Sequence, residues 1–217
     1  MYQTLLFDMD GTLVDSVQGV YHSLRWAMKA AGVPELNRGQ ARHFLGTPIE
    51  QVLRERFDCD VQTALLVRER FLEHYWENGL YETVPAPGMV GLTARLKTNG
   101  FRLAIATCKP WAYCAPTLKQ CGFTDCFEAV AGSYHNGVPE EKSAVIREAL
   151  RLLDAPAETA LMIGDRAADV AGAQACGIPC VGVAFCGYAD PGELEEAGAM
   201  RVFQSAEALE RFLTGAG

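Results

Sequence analysis

Short apolar runs alternate with longer amphipathic stretches along most of this chain. The runs Thr4–Phe7, Leu103–Ala106, Ala129–Ala131, Ala160–Ile163, Cys180–Val183 and Arg201–Phe203 have strand length and are bounded by polar or turn-forming residues. Between them the pattern becomes helical, over Met89–Leu96, Trp111–Cys121, Ser143–Leu153, Ala167–Cys176 and Ala206–Leu213. In the third of these, Val145, Ile146, Ala149, Leu150 and Leu153 form one stripe at helical spacing. Strand–helix alternation needs crossover connections, which predicts a mostly parallel sheet covered by helices on both faces.

Residues 16–83 break the alternation. Val17, Val20, Tyr21, Leu24, Met28 and Ala31 mark one amphipathic helix. Shorter helical patterns cover Gly39–Leu45 and Ile49–Phe57, and a longer one from Val61 to Trp76 carries Leu65, Phe71 and Tyr75. Nothing in this stretch reads as a strand. The predicted fold class is therefore α/β, with a Rossmann-like core (1–15 and 84–217) interrupted by an all-helical insertion (16–83) that rejoins near Pro85-Ala86-Pro87-Gly88. Trp26, Met28 and Trp76 are expected to be packing residues of that insertion.

With 49% hydrophobic and 21% charged residues, the 217-residue chain has the composition of a folded globular protein rather than a disordered one. A formal net charge of −8 argues against nucleic acid as a partner. It leaves an anionic small molecule open, because a metal and a few basic groups can reverse the local field. The eight cysteines include no CxxC spacing and have only four histidines for company, so they read as reduced, mostly buried thiols rather than disulfides or a zinc site. Asp8 and Asp10 interrupt the N-terminal apolar run, which argues against a secretory signal, and no apolar stretch is long enough to span a bilayer. A cytoplasmic protein without a membrane partner is expected.

The chemistry is concentrated where strands end. Ligands of open parallel sheets bind beyond the carboxyl ends of the strands, which predicts that Asp8, Asp10, Thr107, Lys142 and Asp165 surround one crevice. In Asp8-Met9-Asp10-Gly11-Thr12, two carboxylates two residues apart can face the same side of a strand end, and Gly11 permits a sharp exit. In Gly164-Asp165-Arg166-Ala167-Ala168-Asp169 a second pair follows a buried strand; if a helix begins there, Asp165 and Asp169 share a face near its N-terminus.

These segments together resemble the four motifs of the haloacid dehalogenase-like hydrolases, with Thr107, closing its strand, as the second and Lys142, before a helix, as the third. The resemblance extends over nearly the whole chain and is greatest to phosphoglycolate phosphatase-like members, which carry a helical cap where residues 16–83 lie. Cys108 stands where asparagine is frequent in that pattern, and Ser143 where proline is frequent.

The resemblance implies a phosphatase in which Asp8 attacks a phosphomonoester and Asp10 serves as acid and then base. It implies Mg²⁺ held by the Asp8 carboxylate, the Asp10 backbone carbonyl and Asp165, with Asp169 at the margin; converging carboxylates repel one another unless protonated or metal-bound. Thr107 and Lys142 would bind the phosphoryl oxygens, with the backbone N–H groups of Met9, Asp10 and Cys108. Gly46 and Thr47 of the cap, and Lys109, are further candidates for substrate contact. The expected substrate is a small phosphorylated metabolite, such as phosphoglycolate, a sugar phosphate or a nucleoside monophosphate, and the expected state a monomer or homodimer. Asp10 excludes the dehalogenase and phosphonatase branches, since no oxygen leaving group there needs an acid. A phosphomutase retains that acid and is the competing reading. A non-catalytic interaction module is a third, disfavoured because binding alone needs no acid/base pair.

Overall fold

The computed structural model describes residues 2–123, 125–133 and 141–215. In chain order the elements begin with β1 (Thr4–Phe7), β2 (Val14–Asp15), α1 (Val17–Ala30), α2 (Arg38–Ala41), α3 (Ile49–Phe57) and α4 (Val61–Glu77). They continue with β3 (Val84–Pro85), α5 (Met89–Thr98), β4 (Arg102–Pro110), α6 (Trp111–Gln120), β5 (Ala129–Ser133) and α7 (Lys142–Leu153). The last six are β6 (Ala160–Gly164), α8 (Ala167–Ala175), β7 (Cys180–Val183), α9 (Glu193–Glu196), β8 (Val202–Phe203) and α10 (Ala206–Thr214). The chain divides into two compact units, Met1–Asp15 with Pro85–Gly217 and, separately, Ser16–Val84.

The first unit holds a six-stranded sheet of order β5-β4-β1-β6-β7-β8 in which every pairing is parallel. Alternation along the strands sends side chains to two cores. Leu5, Phe7, Leu103, Ile105, Leu161, Ile163, Val181 and Val183 share one with Met89 and Leu92 of α5, Cys114 of α6 and Leu209 of α10. Leu6, Ala104, Ala106, Met162 and Cys180 share the other with Val145, Ile146 and Ala149 of α7, Val170 of α8 and Leu194 of α9. Burial on both faces is why these strands appear in the sequence as unbroken apolar runs.

The second strand run is longer than expected. β4 continues past Thr107 to Pro110, and its pairing with β5 steps from Ala106↔Ala131 to Pro110↔Ser133, so four residues advance against two. Ordinary alternation stops at this bulge, and residues 107–109 are aimed individually. Gly132 accommodates it: a Cβ there would lie 3.0 Å from both the Lys109 carbonyl oxygen and the Trp111 Cα.

The second unit is helical, with α1 packed on α4 and α4 on α3. α4 buries Ala64, Val67, Phe71 and Tyr75, whereas Leu65 is exposed. Met28 is fully buried, but Trp26 and Trp76 are 44% and 50% exposed, contrary to the packing role expected of them. Trp26 instead stacks on His74, with ring centroids 5.0 Å apart. His74 Nδ1 lies 3.0 Å from Ser23 Oγ, a polar link between α4 and α1. All eight cysteines are free thiols.

Leu6 of β1 is fully buried in the second of the two cores. Leu6→Ala is expected to lower the free energy of unfolding by about 2–5 kcal/mol, measured by urea denaturation.

Candidate active site

The site is built where β1 stops. Asp8 continues the sheet for one residue, its N–H donating to the Ile163 carbonyl at 3.0 Å. The chain then turns tightly on Met9, whose carbonyl accepts the N–H groups of Thr12, Leu13 and Val14 at 3.2, 2.9 and 3.0 Å. The Met9 side chain is wholly buried in the core. Gly11 has φ +91°, a conformation L side chains rarely adopt, and a Cβ there would overlap the Asp165 carboxylate. Glycine thus lets the first acidic loop lie against the second. Thr12 Oγ1 donates to Asp165 Oδ1 at 3.2 Å and ties the two together.

Asp165 directly follows β6, and α8 begins two residues later, at Ala167. Asp169 therefore stands in the helix's first turn, where its Oδ2 accepts the N–H groups of Asp165 and Arg166, both at 3.0 Å. The Arg166 side chain turns toward α9. Its Nε donates to Glu193 Oε1 at 2.9 Å, and the same oxygen accepts the Ala167 N–H at 2.9 Å. Sequence reasoning missed this brace from α9, because a four-residue helix leaves no readable period.

Lys142, the first residue of α7, sends its ammonium among the acids. Its Nζ donates to Asp8 Oδ1 at 2.6 Å and to the Ala106 carbonyl at 3.1 Å, and lies 2.7 Å from Asp169 Oδ1. Lys109, on the β4 bulge, donates to both oxygens of Asp10, at 3.0 and 3.1 Å. Thr107 is buried, and its Oγ1 accepts the Lys109 N–H at 3.2 Å. The Cys108 carbonyl accepts the Ser133 hydroxyl at 2.8 Å. Gly46 and Thr47 belong to the helical unit, just before α3, with Gly46 at φ +77°. The core unit therefore brings together Asp8, Asp10, Lys109, Lys142, Asp165 and Asp169.

One ammonium does not neutralise three buried carboxylates. Burial pushes the Asp8 carboxyl up to about 6; Lys142 opposes the rise, while Asp169 and Asp10 add to it. Burial raises Asp165 well above the usual carboxylate range, reinforced by the charges of Asp169 and Asp8. For Lys142 burial pulls downward, yet Asp169 and Asp8 outweigh it and hold the ammonium well above its ordinary value. Asp8, Asp165 and Asp169 each offer a carboxylate oxygen within 4.8 Å of the others, and among the described residues the buried Asp165 Oδ2 has no hydrogen-bond partner. An all-oxygen donor set with excess negative charge and an orphaned buried oxygen fits a hard divalent cation.

The family model of the haloacid dehalogenase-like hydrolases matches residues 5–183. The chain belongs to the haloacid dehalogenase-like hydrolase family. Among relatives of this hydrolase, a 5′-nucleotidase of Pseudomonas aeruginosa is 33% identical, with 89% of this chain and 87% of that protein covered. A phosphoglycolate phosphatase of Mesorhizobium japonicum is 32% identical over 98% and 97% of the two chains. The solved structure of a predicted phosphatase from Clostridium acetobutylicum superposes with a TM-score of 0.91 at 30% identity, covering 99% of each chain.

The excess charge makes a prediction for this hydrolase that does not depend on turnover. Raised above its unfolded value of 3.8, the Asp165 carboxyl imposes no penalty below that pH and a growing one as pH rises. In chelator, Asp165→Asn is expected to unfold at a higher temperature than the parent at pH 7. The advantage should shrink as pH approaches 4, as followed by thermal melts across that range.

Proposed function

We propose that this phosphatase passes the phosphoryl group of a small phosphomonoester to Asp8 and then to water. The observation that carries the reading is the asymmetry at Asp8: Lys142 holds Oδ1, and among the described residues nothing hydrogen-bonds Oδ2. One oxygen is anchored while the other remains available as nucleophile.

In the first half-reaction Asp8 Oδ2 bonds to phosphorus as the ester P–O bond breaks, and Asp10 gives its proton to the departing alkoxide. In the second, Asp10 takes a proton from water as the water oxygen attacks phosphorus. The acyl phosphate P–O bond then breaks, regenerating Asp8 and releasing inorganic phosphate. Lys142, the Thr107 hydroxyl and the backbone N–H groups of Met9, Asp10 and Cys108 are assigned to the phosphoryl oxygens. Mg²⁺ is assigned to Asp8, Asp165 and the Asp10 carbonyl, with Asp169 orienting the loop behind; when bound, it offsets the charge that Asp8 and the phosphoryl group present to each other. The 5′-nucleotidase and phosphoglycolate phosphatase relatives point to small phosphomonoesters.

Asp8→Asn is expected to fold and to lose turnover to background on a panel of phosphoglycolate, sugar phosphates and nucleoside 5′-monophosphates. In ¹⁸O-labelled water the parent should place label in the released phosphate at each turnover. Isomerised sugar phosphate with little free phosphate would instead identify a mutase. Asp10→Asn should slow hydrolysis of alkyl phosphates by about 10²–10⁴-fold and of aryl phosphates less, since an aryl oxide departs without an acid.

A further inference from the structure

We infer that Lys109 is the positioning residue of Asp10, holding the carboxylate in the orientation for proton transfer rather than binding substrate. The inference rests on the acid/base reading of Asp10 given above. Lys109 Nζ spans both Asp10 oxygens at 3.0 and 3.1 Å, and its side chain is only 4% exposed while that of Asp10 is 17% exposed. The lysine is thus the more buried side chain of the pair, and its two bonds both go to the one carboxylate. Among the described residues, no other group hydrogen-bonds the Asp10 side chain. An aspartate has two side-chain torsions, and the Lys109 contact restrains both.

The backbone that delivers Lys109 is itself held. The β4 bulge breaks the alternation that would otherwise set the direction of residues 107–109. Its conformation is pinned by the Lys109 N–H on Thr107 Oγ1 at 3.2 Å and by the Ser133 hydroxyl on the Cys108 carbonyl at 2.8 Å. Gly132 supplies the clearance, its missing Cβ standing 3.0 Å from the Lys109 carbonyl oxygen. A buried lysine is costly unless its charge is matched, and the match here is Asp10.

Lys109→Met keeps the length and burial of the side chain and removes the two bonds. It is expected to lower kcat on an alkyl phosphate by about 10²-fold, the loss typical of a misplaced catalytic group, with KM changed by less than about twofold. The loss should be smaller on an aryl phosphate, and adding Lys109→Met to Asp10→Asn should produce no further loss, because both act on one step. Lys109→Arg, which restores a cation and two donors, should recover part of kcat; should Lys109→Met not fold, the same comparison is made between Lys109→Arg and its combination with Asp10→Asn. A raised KM with kcat retained would make Lys109 a substrate ligand and overturn the inference. Losses that multiply in the double variant would overturn it equally. Both results leave the covalent reading intact, which falls separately if Asp8→Asn retains turnover or Asp10→Asn retains full kcat on alkyl phosphates.

Discussion

Within the core unit, a single ammonium joins four pieces of the chain. Lys142 reaches from the start of α7 to Asp8 beyond β1, the Ala106 carbonyl on β4 and Asp169 in the first turn of α8. Three carboxylates taken out of water would be prohibitive without compensation, and a buried cation shared between two of them supplies much of it. Compensation is deliberately incomplete: among the described residues Asp165 Oδ2 has no hydrogen-bond partner, and the Asp8 carboxyl is pushed up to about 6 chiefly by its burial. The unmatched charge is what makes the cluster suited to a cation and an anion arriving together.

Sheet order makes this convergence possible. β1 lies between β4 and β6, and Phe7 is level with Ile105 on one side and Ile163 on the other. The pairing of β1 with both neighbours stops at Phe7, which brings Asp8, Thr107 and Asp165 to one rim although they lie far apart in sequence. A parallel arrangement also leaves the strand ends to loops rather than hairpins, so each can carry its own polar residue. Gly11 allows the β1 loop to meet the Asp165 carboxylate at all, since any side chain there would occupy the same space.

The strands buried on both faces were legible because continuous burial leaves continuous apolar sequence, as in Ala160–Ile163 and Cys180–Val183. β4 was legible only as far as Ala106, because beyond it polar residues follow a bulge whose cause lies in β5 and Gly132. In α4 the adjacent Ala64, Leu65, Leu66 and Val67 admit more than one phase; the structure buries Ala64 and Val67 and leaves both leucines exposed. The acids of the site were readable from spacing and motif. Lys142 and Lys109 were named for the site through the resemblance, but the pairing of Lys109 with Asp10 was not read, since the two lysines meet Asp10 and Asp8 across separations of 99 and 134 residues. Nothing local distinguishes such lysines from solvated ones.

On the proposed mechanism, those pairings explain how two aspartates with one residue between them serve different ends. Asp8 is buried among other carboxylates, bonded through one oxygen to an ammonium it shares with Asp169. Asp10 is more open to solvent and has an ammonium of its own on both oxygens. Identical side chains acquire separate roles when their surroundings differ in charge and access to water. The first setting suits an atom that must form a bond to phosphorus while its companion stays anchored. The second suits a group that must release and recover a proton without changing place. The division follows from which lysine each carboxylate meets, and that is settled by the first turn of α7 and by the bulge in β4.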